Sequence, residues 1–162
     1  RSVGRAMAVL AAKPGIYGMI GGQTADIEAE NLGDKVTQEH LMFIHAHKTS
    51  ALIEAAMMIG AILAGADEQE VSAVEKAAGN IGLAFQIQDD ILDVTSTAEE
   101  LGKPVHSDEK NNKVTYVTLF GTEKASAQVE ELSKKAIDLL KSLNKNNEFL
   151  YLLVEKLINR RK

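Results

Sequence analysis

The chain contains no cysteine, which excludes disulfides, thiolate metal sites and cysteine nucleophiles together. A reducing compartment fits, and a cytoplasmic location is expected. Aromatic residues make up only 4% of the sequence, and alternating runs of Val, Ile, Thr and aromatics are missing, so no strand is predicted. A basic excess is missing too. Lys and Arg number 18 against 23 Asp and Glu, a formal net charge of −5, which leaves no stripe to neutralise a nucleic-acid backbone. The longest apolar run, AAMMIGAILAGA at 55–66, is too short to span a bilayer, so no membrane insertion is expected. What is present suffices for a core: 162 residues, 45% hydrophobic and 25% charged, in the balance of one soluble globular domain over 1–162. The opening RSVGRAMAVL lacks an initiator Met and already reads as helix, as a piece of something longer would.

Only two prolines, Pro14 and Pro104, interrupt the chain, and the stretch between them is rich in Ala, Leu, Ile, Glu and Met. Such a stretch predicts helices. The pattern places them at roughly 2–12, 16–31, 37–65, 68–96, 123–143 and 146–160, an all-α fold. Thr37 before His40, and Asp67 before Glu68 and Glu70, mark helix starts; Gly33 and Gly65 mark stops. The helix over 37–65 is apolar around most of its girth and is expected at the centre. The helix over 123–143 sets Val129, Leu132, Ala136, Leu139, Leu140 and Leu143 against a charged face and is expected outside. LGKPVHSDEKNNKVT at 101–115 is a long irregular stretch, and such loops are usually functional or disordered.

Four segments carry chemistry. In FQIQDDILD, Phe85 to Asp93, a 100° step per residue puts Gln86, Asp89, Asp90 and Asp93 on one helix face. Crowded carboxylates repel one another and call for a cation, and hard oxygen ligands suit Mg²⁺ shared with substrate phosphates. A solvated acidic face is the plain alternative. Gly79 and Gly82 on the same side count against it, because each costs about 1 kcal/mol in a helix interior, and they leave an open strip above the carboxylates. In HAHKTSALIEAAMM, Lys48 shares an apolar stripe with Leu41, Ile44, Leu52, Ala55 and Ile59, opposite His40, His47, Ser50 and Glu54. A lysine there needs an anion unless it snorkels to water. His45 and His47 are too far apart around a helix to chelate one metal. The loop carries Lys103, Lys110 and Lys113, able to fold over an anion held from below. GMIGGQTADIEAE at 18–30 puts Gln23, Asp26 and Glu30 on one face, with glycines suited to close helix packing.

Taken in order, GMIGGQTAD, HAHKTSALI, FQIQDDILD and the GK followed by SDEKNNKVTY resemble the trans-isoprenyl diphosphate synthases, most nearly their bacterial farnesyl branch. The resemblance implies an incomplete antiparallel helical bundle around a deep cavity, and a Mg²⁺-dependent prenyltransferase joining isopentenyl diphosphate to an allylic diphosphate. It implies that Asp89, Asp90 and Asp93 form the second aspartate-rich motif and hold Mg²⁺. Lys48, Lys103 and Lys113 would contact the allylic diphosphate. Thr49 and Gln86, with Lys48, would face the developing allylic cation, while Gln23 and Asp26 would support the site. The basic tail Arg160, Arg161 and Lys162 would approach the second diphosphate. A first aspartate-rich motif and the isopentenyl-site cations have no counterpart here, so the chain reads as the C-terminal half, expected not to turn over alone. A homodimer is expected of the full-length protein. A terpene cyclase of the same fold and a non-catalytic helical partner subunit are the other readings.

Overall fold

The computed structural model describes residues 1–97, 113–143, 145, 147–158 and 160. Every regular element among the described residues is helical, as the composition requires. Helix α1 (Ser2–Ala12) is followed by α2 (Met19–Leu32), a 3₁₀ turn (Gly33–Lys35) and α3 (Gln38–Ile44). A π-helical turn (His45–Ser50) then runs into α4 (Ala51–Leu63) and α5 (Glu68–Thr95). After the undescribed segment come α6 (Tyr116–Phe120), α7 (Thr122–Lys141) and α8 (Glu148–Ile158).

The starts and stops follow local chemistry. Thr37 and His40 form a capping box, as do Asp67 and Glu70, so orphan amides of each first turn are satisfied by side chains. Gly33 and Gly65 take positive φ of 51° and 88°, a region that costs glycine nothing. Helix α6 lies outside the sequence expectation. It opens on a third capping box, Thr115 with Thr118, and closes at Gly121, φ 82°. Five residues are too few for a periodic signal.

Helix α5 is the centre of the bundle. It packs against α4, the π turn, α6, α7 and α8, and its buried row Val74, Ala77, Ile81, Ala84, Ile87 and Ile91 recurs every three or four residues. Helix α7 lays Val129, Leu132, Ala136 and Leu140 onto that row, which is the expected amphipathic outer helix. Val154 of α8 completes the cluster. The helix over 37–65 was expected at the centre, and here the structure corrects the reading. It packs against α1, α2, α5 and α6, yet Phe43, Leu52 and Leu63 on it are exposed. With Val3, Met7 and Leu10 of α1 and Ile20 and Ile27 of α2, also exposed, these side chains give the chain an extensive uncovered apolar surface.

Two glycines correct the sequence reading as well. A Cβ on Gly82 would stand 2.6 Å from Ser50 Cα and 2.7 Å from Ser50 Cβ, and one on Gly79 would stand 3.0 Å from Glu54 Oε1. They are seats for the neighbouring helix, not an open strip over the carboxylates. An unforeseen ion cluster ties α1 to the same place: Lys13 pairs with Glu54 and, at 2.7 Å, with Glu75. Burial would lower the Lys13 pKa, yet its two glutamates hold it above the ordinary 10.5.

Candidate active site

A cavity of about 280 Å³ opens between α2, the π turn and α5. Its lining includes Asp26, His45, Lys48, Thr49, Gln86, Asp89, Asp90 and Lys113. Sequence positions from 26 to 113 thus converge on one space.

The cationic wall is built on Asp26. This carboxylate is buried on α2, where Oδ2 accepts a hydrogen bond from Lys48 Nζ at 2.6 Å and Oδ1 lies 3.3 Å from Lys113 Nζ. Burial alone would raise the Asp26 pKa, but the Lys48 hydrogen bond and the Lys113 charge hold it below the ordinary 3.8. One buried anion therefore holds two lysines at the cavity edge. Helix α2 comes close enough for this through Gly22, where a Cβ would stand 2.7 Å from both the carbonyl carbon and the Cβ of His47.

The π turn sets which side chains reach the cavity. Its wider pitch inserts a residue into the helical repeat, so the faces drawn with a constant 100° step shift within and just after the turn. Leu52, placed on the apolar stripe, is exposed, whereas Ser50, placed opposite it, is 1% exposed and donates to the His45 carbonyl at 3.1 Å. Lys48 does find the anion that the sequence required. His47 stacks on Phe43 with Nδ1 2.8 Å from the Phe43 carbonyl, apart from His45.

His45 is 5% exposed, and its Nδ1 has no hydrogen-bond partner among the described residues. Burial, then the Lys113 charge, pushes its pKa from 6.5 down to about 4; Asp26 pulls upward and Lys48 adds to the fall. The unfolded chain thus takes a proton on His45 below about pH 6.5 while the folded chain stays neutral. Stability is whole above that pH and lost as the pH falls to about 4, by roughly 3 kcal/mol at most. His45→Leu is expected to flatten this component and to cost little at pH 7, since it removes an unsatisfied buried nitrogen. Urea midpoints at pH 7 and pH 4.5 test it, and an unchanged pH slope in the variant would refute the assignment.

The anionic wall is α5. Gln86, Asp89 and Asp90 line the cavity as the spacing predicts. Asp90 Oδ2 accepts the backbone N–H of Tyr116 at 2.8 Å, an otherwise orphaned first-turn amide of α6. Asp89 Oδ1 accepts from Arg160 at 2.9 Å. Asp93 is 6% exposed and does not line this cavity. Gln23 is half-buried on α2, likewise outside the lining. Lys103 and Lys110, with Arg161 and Lys162, lie outside the described residues. Arg160 was placed by the resemblance toward a second diphosphate. The structure sets it on Asp89 instead, an ion pair between residues 71 apart in sequence that no local pattern announces.

Among the described residues no group of three or more His, Asp or Glu converges on one point as a closed metal cage. Asp89 and Asp90 across from two lysines still fit a Mg²⁺ site of the shared kind, in which one or two carboxylates and substrate phosphates complete the coordination.

Comparison with known proteins identifies the family. The polyprenyl synthetase family pattern matches residues 4–153. The chain belongs to the polyprenyl synthetase family. It is 46% identical over 137 residues to geranylgeranyl pyrophosphate synthase 3 of Arabidopsis thaliana, covering 84% of this chain and 38% of that protein. Over 119 residues it is 49% identical to the geranylgeranyl diphosphate synthase of Cyanophora paradoxa, covering 74% and 39%. The Helicobacter pylori geranyltransferase solved with magnesium and isoprenyl diphosphate superposes with a TM-score of 0.78 at 33% identity, over 98% of this chain and 51% of that one. The all-α bundle expected of the family is thereby shown, in partial form, since the chain spans well under half the length of these curated relatives. The cytoplasmic expectation is overturned. Polyprenyl synthetase relatives from Arabidopsis thaliana and Catharanthus roseus are chloroplastic proteins, and the lack of cysteine on which the expectation rested fixes no compartment.

Proposed function

We propose that this chain forms the C-terminal portion of a prenyl diphosphate synthase, carrying the wall that binds and ionises the allylic diphosphate. One observation carries the reading: Lys48 and Lys113, held on buried Asp26, share a cavity with Asp89 and Asp90. Lysines alone suit any anion. Lysines facing two neighbouring carboxylates suit a polyanion that arrives with a divalent cation.

In the reaction, the C–O bond of the allylic substrate breaks and diphosphate leaves. The allylic carbon then bonds to the alkene of isopentenyl diphosphate, and the resulting cation gives a proton to the released diphosphate. Charge builds on the departing diphosphate, so donors aimed at it are worth most in the transition state. Lys48 and Lys113 supply two. When bound at Asp89 and Asp90, Mg²⁺ would supply further neutralisation of the leaving group; Asp93 belongs to the same motif and is assigned to the same metal. Thr49 and Gln86 present dipoles to the developing cation, with aliphatic Leu41 and Ile44 excluding water. Lys103 and Gln23 are assigned the substrate contact and support that the family resemblance implies. The curated relatives are named geranylgeranyl diphosphate synthases and several solved neighbours geranyltransferases, which supports a C15 to C20 diphosphate product. The uncovered apolar surface of α1, α2 and α4 fits a face closed by the rest of the bundle or a second subunit, and no turnover is expected of the 162 residues alone.

Calorimetric titration with a nonhydrolysable allylic diphosphate analogue tests the reading. Binding is expected to require Mg²⁺ and to weaken about tenfold or more in Asp89→Asn. Binding unchanged by Mg²⁺ and by the substitution would overturn it.

A further inference from the structure

Arg160 does more than sit near the site. Its guanidinium donates to Asp89 Oδ1 at 2.9 Å and lies 3.7 Å from the centroid of the Phe85 ring, leaving the side chain only 18% exposed. Phe85 and Asp89 are four residues apart on α5 and therefore stacked one turn above the other. They form a two-part seat, an aromatic face with a carboxylate beside it, which matches a flat cation and no other side chain as well. Burial lowers the Arg160 pKa while Asp89 raises it.

We propose that Arg160 is an autoinhibitory latch: it occupies the Asp89 oxygen that a divalent cation needs, so the metal must displace the arginine before the site can load. The inference rests on the reading of Asp89 as a metal ligand. Its chemistry is direct competition. One carboxylate oxygen holding a guanidinium cannot also give its full charge to Mg²⁺, and the apparent metal affinity falls with the population of the latched state. Displacement breaks the ion pair with Asp89 and the contact with the Phe85 ring together.

The latch predicts an affinity that improves when a side chain is trimmed. Mn²⁺ alone, titrated into the 162-residue chain and followed by the loss of the free-ion EPR signal, is expected to bind about five- to tenfold tighter to Arg160→Gln than to wild type, the worth of a part-exposed ion pair plus a cation–π contact. Arg160→Lys keeps the charge without the flat fork and is expected to fall between. Asp89→Asn should lose the binding in either background. In the wild type, the Arg160 Nε–H resonance is expected to shift and exchange faster with water as Mg²⁺ is added. Asp89-dependent Mn²⁺ binding that is equal or weaker in Arg160→Gln would overturn the latch alone, the weaker case making Arg160 a residue that orients the carboxylate for metal. No Asp89-dependent binding in either chain would overturn the latch and the metal reading together.

Discussion

Alanine at position 22 is expected to cost about 3 kcal/mol of stability, the upper range for forcing a methyl into a filled space. The new Cβ would meet His47 at 2.7 Å and the backbone nitrogen of Lys48 closer still. Backbone cannot turn aside as a side-chain tip can, so α2 must move away from the π turn. Asp26 lies one turn further along α2, and its 2.6 Å bond to Lys48 would lengthen with it. The substitution should therefore lower the urea midpoint and weaken diphosphate binding at once. Gly4→Ala is the control. Nothing stands within 4 Å of a Cβ there, and alanine should gain up to ~1 kcal/mol from helix propensity alone. Equal midpoints for the two variants would show that the approach of α2 is not a constraint.

Lys48→Met is expected to reduce affinity for the allylic diphosphate analogue about 100-fold or more, the range for removing one partner of a part-buried charged contact. The loss has two sources. One cation toward the leaving group disappears, and Asp26, still buried, keeps Lys113 at 3.3 Å as its ion-pair partner among the described residues. Asp26→Asn alone should weaken binding by a smaller factor, since both lysines survive without their anchor. In stability, Lys48→Met with Asp26→Asn should cost less than the sum of the single changes, because the second substitution removes the charge that the first one orphans. Strict additivity in a double-mutant cycle by urea unfolding would mean that the two side chains do not depend on one another.

Much of this fold is legible in the sequence because its long helices carry strong, regular signals. The capping pairs Thr37 with His40 and Asp67 with Glu70 mark real helix starts, and the apolar row of α7 marks its buried face. Gln86, Asp89 and Asp90 reach the cavity together because α5 is regular through that stretch. Illegibility begins where regularity ends. The π turn at 45–50 breaks the constant-step wheel, so Ser50 and Leu52 exchange expected environments while Ala55 stays buried as expected. Glycine is ambiguous in a sequence: Gly82 reads equally as an opening or as a packing seat, and only Ser50 across from it decides. The hold of Asp26 on Lys48 and Lys113, and of Asp89 on Arg160, joins residues 22 to 87 positions apart, beyond any local pattern.

The bond from the Tyr116 amide to Asp90 bears on how such a site drifts over generations. Its donor belongs to the main chain, so every amino acid but one supplies it at position 116. Changes there would be screened by the fit of the Tyr116 ring against Phe120, not by the orientation of the carboxylate. Proline is the exception. It is well tolerated at the first position of a helix, so α6 would survive the change while Asp90 lost this hydrogen bond. This hold on one acidic group is thus insulated from nearly all substitutions at the residue that supplies it.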